Sequence, residues 1–259
     1  MRTFKTFDYI FITGVTGSGK STLLQELLDT YNDVELLQKY TTRPMREEEK
    51  LIPKKRMEYQ FIKEEDSIFL ENMMDISVLT EYETVNGIWK YALPKYDKPI
   101  EDVTYVQVLG AGDIMEIFKG DHFPKNALLL NIVINEKAVL EKLSKRMDEE
   151  ESMRRYKDDC ILYGMTPKQT VYTESDPFWE ERISKYFSNI FTKERGCNYI
   201  EIENVMYFMT PKQIVSTLKS IFTIPYEDLN HLRIIKHQST GMPMIQTNVD
   251  KNHKHVTTK

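Results

Sequence analysis

Lys20 and Ser21 close the run Gly14-Val15-Thr16-Gly17-Ser18-Gly19-Lys20-Ser21-Thr22, which fits G-x-x-x-x-G-K-[ST] at every fixed position. Glycines at 14, 17 and 19 allow the backbone to come close to a polyphosphate and to turn consecutive N–H groups toward it. The N-terminus of a following helix adds partial positive charge. In such a loop the lysine ammonium bridges the β- and γ-phosphates and the Ser21 hydroxyl ligates Mg²⁺, the division of labour of nucleoside triphosphate chemistry. Tyr9-Ile10-Phe11-Ile12 reads as a short buried strand, and Leu23, Leu24, Leu27 and Leu28 recur at helical spacing, so the loop has its strand-to-helix context. That context argues against a Gly-Ser turn with an incidental lysine.

A second constellation follows: Lys39-Tyr40-Thr41-Thr42-Arg43-Pro44-Met45-Arg46-Glu47-Glu48-Glu49, then Glu58-Tyr59-Gln60-Phe61-Ile62. Two arginines three apart, with a tyrosine further on, suit a phosphate monoester, because guanidinium forks donate bidentate charge-assisted bonds that lysine cannot match. Alone the stretch also reads as a solvated mixed-charge loop. Its place just after the phosphate-loop helix favours a site for an acceptor phosphate.

From these residues the chain resembles the guanylate kinases, members of the nucleoside monophosphate kinases. The family's T-T-R-x-P-R-x-x-E corresponds to Thr41-Thr42-Arg43, a shifted Pro44, Arg46 and Glu49, and its D-Y-x-F-V to Glu58 through Ile62. The resemblance implies that Lys39, Arg43, Arg46, Tyr59, Glu81 and Tyr91 bind the monophosphate, with Glu81 meeting the base. It implies ATP as phosphoryl donor on Gly14 through Thr22 with Arg154, Mg²⁺ on Ser21, and catalytic roles for Lys20, Arg146 and Arg155. The lid pattern is carried by Leu140 to Arg146 and the acidic-basic run Glu149 to Arg155, a clustering that a solvated helix face also explains. Two departures stand out: Y-G-[ST] is replaced by Tyr91-Ala92, and the strand that carries D-x-D-x-Q-G has Gln107 and Leu109 in place of its acids. Asp113 lies too far along to substitute and reads as a residue at the start of a helix.

These residues must be positioned by a fold. The apolar runs Val103–Leu109, Leu128–Ile134 and Tyr199–Ile202 read as strands, as does Tyr59–Ile62, and Lys137–Lys145, Glu150–Tyr163 and Pro211–Phe222 as helices, the last with Thr210 as cap. Continuous apolar strands alternating with helices imply an α/β fold with a parallel sheet covered on both sides. The resemblance refines this to a P-loop kinase three-layer sandwich with a monophosphate-binding subdomain and a lid. The expected organisation is a kinase-like domain over 1–224, with the phosphate loop at 14–21, the acceptor subdomain at about 38–94, the lid at about 143–156 and an inserted helical segment at about 166–195. Phe178, Trp179, Ile183, Phe187, Ile190 and Phe191 recur there at helical spacing and predict an amphipathic helix packed on the domain. Residues 225–259 are expected to form a mobile extension, whose histidines, without acidic or cysteine partners, read as solvated.

Composition bounds the function. The 259 residues are 41% hydrophobic, enough for a substantial core, and the net charge of −5 argues against a nucleic-acid-coating surface. Cys160 and Cys197 show neither metal spacing nor a disulfide framework. No apolar run approaches the length of a membrane span or a secretory signal, which points to the cytoplasm. The expected partners are ATP and a nucleoside monophosphate, with no nucleic acid and no membrane, and the oligomeric state is open. The expected activity is ATP-dependent phosphorylation of GMP or dGMP. The alternatives are a kinase of the same fold acting on another nucleoside monophosphate or a phosphorylated sugar, and a non-catalytic binding module of the guanylate kinase-like kind.

Overall fold

The computed structural model describes residues 7–66, 76–84, 87–96, 102–119, 123–124, 126–145, 149–165, 167, 176–188, 197–204, 208–221, 232–236, 238–240 and 242–247. In chain order the strands are β1 (Tyr9–Gly14), β2 (Val34–Leu36), β3 (Lys39–Thr41), β4 (Tyr59–Phe61), β5 (Ile76–Thr84), β6 (Gly87–Pro94), β7 (Thr104–Val108), β8 (Ala127–Val133), β9 (Cys197–Glu203), β10 (Leu232–Lys236) and β11 (Pro243–Thr247). The helices are α1 (Lys20–Thr30), α2 (Ala111–Lys119), α3 (Glu136–Ser144), α4 (Glu149–Leu162), α5 (Trp179–Ser188) and α6 (Pro211–Ile221).

The strands form two sheets. The larger has the order β11-β10-β9-β8-β1-β7-β2, and every pairing in it is parallel except β10 with β11. Every residue of β1 and of β8 is buried, so both faces of the sheet are covered, which is why these strands are apolar throughout instead of alternating. This agrees with the α/β fold and parallel central sheet expected from the sequence. The smaller sheet, β4-β3-β6-β5, is built from residues 39–94 and is mixed, with β3 parallel to β4 and antiparallel to β6.

Local chemistry explains the helix starts. Asn135 caps α3 by accepting a hydrogen bond from the Lys137 amide at 2.8 Å. At α6 the Thr210 hydroxyl accepts from the Gln213 backbone amide at 3.3 Å while the Gln213 side-chain oxygen Oε1 accepts from the Thr210 backbone amide at 2.8 Å, a reciprocal cap. Ile214, Val215, Leu218 and Ile221 then form its buried face. In α5, Trp179, Ile183 and Phe187 are buried at four-residue spacing and Phe178 is exposed, so this helix packs on the domain. Trp179 stacks on Tyr156 and donates its indole N–H to the Ile134 carbonyl at 3.0 Å. Ile190 and Phe191 lie outside the described residues.

The mobile extension expected from residue 225 is corrected at two segments. Leu232–Lys236 and Pro243–Thr247 extend the large sheet as β10 and β11. The reason is the alternation in Leu-Arg-Ile-Ile-Lys: Leu232 and Ile234 are buried beside Ile200 and Ile202 of β9. Arg233, pointing to the other face, reaches the buried carboxylate of Glu201 through Nε at 2.9 Å. Glu201 also accepts from the Ser184 hydroxyl of α5. Thr13, Asn131, Glu201 and Arg233 are register partners on successive strands, so a polar row runs across the sheet from β1 to β10.

Candidate functional site

The phosphate loop leaves the C-terminal end of the interior strand β1 and enters α1. Gly14 cannot be replaced without strain: its φ is +140°, and a Cβ there would lie 2.5 Å from the Ile132 carbonyl oxygen. Gly19, in the left-handed region with φ 95°, starts α1 without a side-chain cap. The Lys20 ammonium folds back over the loop and donates to the carbonyls of Gly14 and Val15, both at 2.8 Å. Ser21 and Thr22 are exposed on the first turn of α1, and Ser18 is buried. The Thr16 amide donates to the carboxylate of Asp159, at 2.7 Å. Asp159 is on α4, 143 residues away in sequence, and no sequence pattern marked it.

One face of the small sheet gathers several of the residues expected to bind the monophosphate. Lys39 and Tyr59 are register partners, as are Thr41 with both Phe61 and Tyr91, which puts Lys39, Thr41, Tyr59, Phe61 and Tyr91 on the same face. The Arg43 guanidinium lies 4.9 Å from the Tyr59 ring centroid and 5.0 Å from that of Phe61, and Tyr91 meets Tyr59 edge-on at 5.9 Å. Glu49 holds Arg43 by a fork, accepting from Nη1 at 2.8 Å and from Nη2, while Pro44 accepts from Nη1 at 3.0 Å. Glu49 also accepts from the Arg46 amide at 2.8 Å. Burial pushes the Arg43 pKa down and the Glu49 pKa up, and the pairing outweighs it in both, so both stay charged. Three of the five N–H donors of Arg43 are used, which leaves Nε–H and one Nη2–H among the described contacts. Arg46 is exposed beside this cluster.

Lys39 joins the two sheets. Its buried ammonium donates to the Val108 carbonyl of β7 at 2.7 Å and lies 4.5 Å from the Tyr59 ring centroid. Burial lowers its pKa, but Tyr59, Asp113 and Glu58 outweigh that and the net shift is upward. Asp113 also accepts from the Gly110 amide at 3.2 Å at the start of α2, in keeping with its reading as a helix-start residue. Gln107 is buried, accepting from the Tyr96 hydroxyl at 2.7 Å and donating to the Leu37 carbonyl at 3.1 Å. A neutral amide with a buried phenol partner does structural work here; burial raises the Tyr96 pKa well above its ordinary value.

Three expected site residues are not brought to these clusters. Glu81 pairs with Lys90 in register, at 3.4 Å between charged groups, whereas Tyr91 pairs with Thr80. Successive strand residues face opposite ways, so Glu81 lies on the sheet face away from Tyr91, with its side chain 54% exposed. Arg154 is engaged by Glu151 and Asp158, and Arg155 by Glu151, all along α4. Arg146 lies outside the described residues. Among the described residues no group of three or more His, Cys, Asp or Glu could hold a metal. On the protein side Mg²⁺ would find the Ser21 hydroxyl, which fits an ion that arrives as the ATP complex with phosphate and water in the rest of its shell.

Residues 10–82 match the family of viral superfamily 1 RNA helicase core domains, under a third of the chain. No curated protein matches the chain. Among solved structures, guanylate kinase from Anaplasma phagocytophilum is 16% identical with a TM-score of 0.41, over 72% of this chain and 88% of that one, a likeness too distant to speak to activity. The strand-loop-helix inside a mostly parallel sheet makes the fold P-loop NTPase-like. No helix among the described residues is long and apolar enough to cross a membrane.

Proposed function

We propose that the protein transfers the γ-phosphoryl group of ATP·Mg²⁺ to a nucleoside 5′-monophosphate, with GMP or dGMP as first candidates. The observation that carries this reading is the Arg43 cluster on the small sheet, tied to the phosphate-loop sheet by Lys39 through Val108. A nucleotide loop alone serves many reactions. A second cationic cluster, with spare guanidinium donors and two tyrosines, supports a separate place for an acceptor. Positioning and charge neutralisation would then supply the catalysis, with Lys20 turning from the loop carbonyls to the transferring phosphate. The guanine preference rests on the resemblance of Thr41 to Glu49. Because Glu81 faces the other side of the sheet and Gln107 is already bound, few polar groups remain to reject a wrong base, so discrimination should be loose.

The test is a screen of the common nucleoside and deoxynucleoside monophosphates with ATP and Mg²⁺, repeated with Lys20→Ala. Diphosphate product, reduced by about 100-fold or more in the variant, supports the reading. ATP hydrolysis stimulated by RNA, with no acceptor phosphorylated, would replace it with the motor activity that the helicase-family match raises.

A further inference from the structure

The contact between Asp159 and the phosphate loop serves none of the roles above. Asp159 faces inward from α4, and its carboxylate accepts the Thr16 N–H, a donor of the loop whose amides surround a bound polyphosphate. Burial raises its pKa, opposed by Lys20 and by the Thr16 hydrogen bonds, so the ion sits where desolvation penalises it. The neighbouring inward residues of the helix, Ser152, Tyr156 and Cys160, are neutral. One N–H cannot serve a carboxylate and a phosphate oxygen together, and two anions side by side would repel. Arg155 stands one turn before Asp159 on the same helix, where Glu151 neutralises it.

We infer that Asp159 is a built-in competitor for the donor's phosphate: its carboxylate occupies the Thr16 amide, and a polyphosphate must displace it, freeing the loop-facing side of a helix that stays anchored by Tyr156 and Cys160 and carries Arg154 and Arg155. The exchange would move a negative charge away from the turn that carries Arg155, so donor binding and the local rearrangement of those arginines become one event. The inference rests on the donor reading proposed above.

The experiment compares the full chain with Asp159→Ala and Asp159→Asn. Asparagine keeps an acceptor for Thr16 but removes the charge, and it serves as the second variant if alanine disturbs folding. Binding of MgATP and of inorganic tripolyphosphate is measured by calorimetry, and exchange of the Thr16 amide by hydrogen–deuterium exchange without ligand. The expected result is about tenfold tighter binding of both probes in Asp159→Ala, a smaller gain in Asp159→Asn, and faster Thr16 exchange in Asp159→Ala. Equal or weaker binding in the variants, or unchanged Thr16 exchange, overturns the inference while leaving the donor reading intact. Failure of all three proteins to bind either probe overturns the donor reading and the inference with it.

Discussion

Replacing Glu49 tests whether the Arg43 cluster is held together as its geometry implies. The Arg43 side chain is 3% exposed and that of Glu49 17%, so water can reach the carboxylate more easily than the guanidinium. Removing the carboxylate therefore strands a buried cation that keeps only Pro44 as a hydrogen-bond partner among the described contacts. Breaking a buried pair from one side costs about 3–5 kcal/mol, and the lower end applies here because one partner is partly solvated. Glu49→Gln keeps one acceptor and loses the charge, so it should cost about 1.5–3 kcal/mol, the worth of a charged hydrogen bond. Thermal or urea unfolding reads the stability term. Steady-state kinetics reads the functional one: an Arg43 no longer fixed over Tyr59 and Phe61 should raise KM for the monophosphate by about tenfold or more, with KM for ATP near its original value. If Glu49 instead competes with the acceptor for Arg43, its removal would lower the monophosphate KM. That result, or stability unchanged in both variants, would refute the reasoning.

The C-terminal strands and the charge cluster on α4 give two further predictions. Ile234→Ala should cost about 2–5 kcal/mol and lower Tm by roughly 4–20 °C, because a fully buried side chain between β9 and β11 is lost; an unchanged Tm would mean that β10 does not pair in solution. Glu151 is held down to about 2 from its ordinary 4.5, first by the hydrogen bond from Arg154, against the opposing effect of burial, and then by Arg155. Its folded pKa lies below its unfolded one, so its contribution is complete above about pH 4.5 and is lost as pH falls through about 2. Glu151→Gln should flatten that part of the stability–pH curve by a modest amount, since the pair is partly exposed; identical curves for the two proteins would show the pairing to be worth nothing.

The phosphate loop was legible because all of its chemistry is local: nine consecutive residues carry the glycines, the lysine and the hydroxyls, and the flanking apolar spacing supplies the strand and the helix. Arg43 and Glu49 were nearly as legible, since they belong to one short motif and Tyr59 to the next, although nothing in either motif says that Glu49 grips Arg43. Glu81 shows where such reading stops. Its place in the chain suits a base-binding role, but whether it faces the cluster depends on strand parity, and a register in which Glu81 meets Lys90 sends it to the opposite face. Asp159 had no local signal, because its partner amide is 143 residues away and a single acid on a charged helix looks like every other acid there. The C-terminal strands fall between these cases. Leu-Arg-Ile-Ile-Lys alternates as an edge-region strand should, yet only the β9 edge that it pairs, and Glu201 as a partner for Arg233, make that weak preference decisive. Chemistry carried by neighbouring residues can therefore be read from the chain, and chemistry that depends on which residues the fold brings face to face cannot. On the proposed reading the acceptor's base is of the second kind: its recognition would come from the Tyr91 face of the small sheet, where Thr80 and not Glu81 is the cross-strand neighbour.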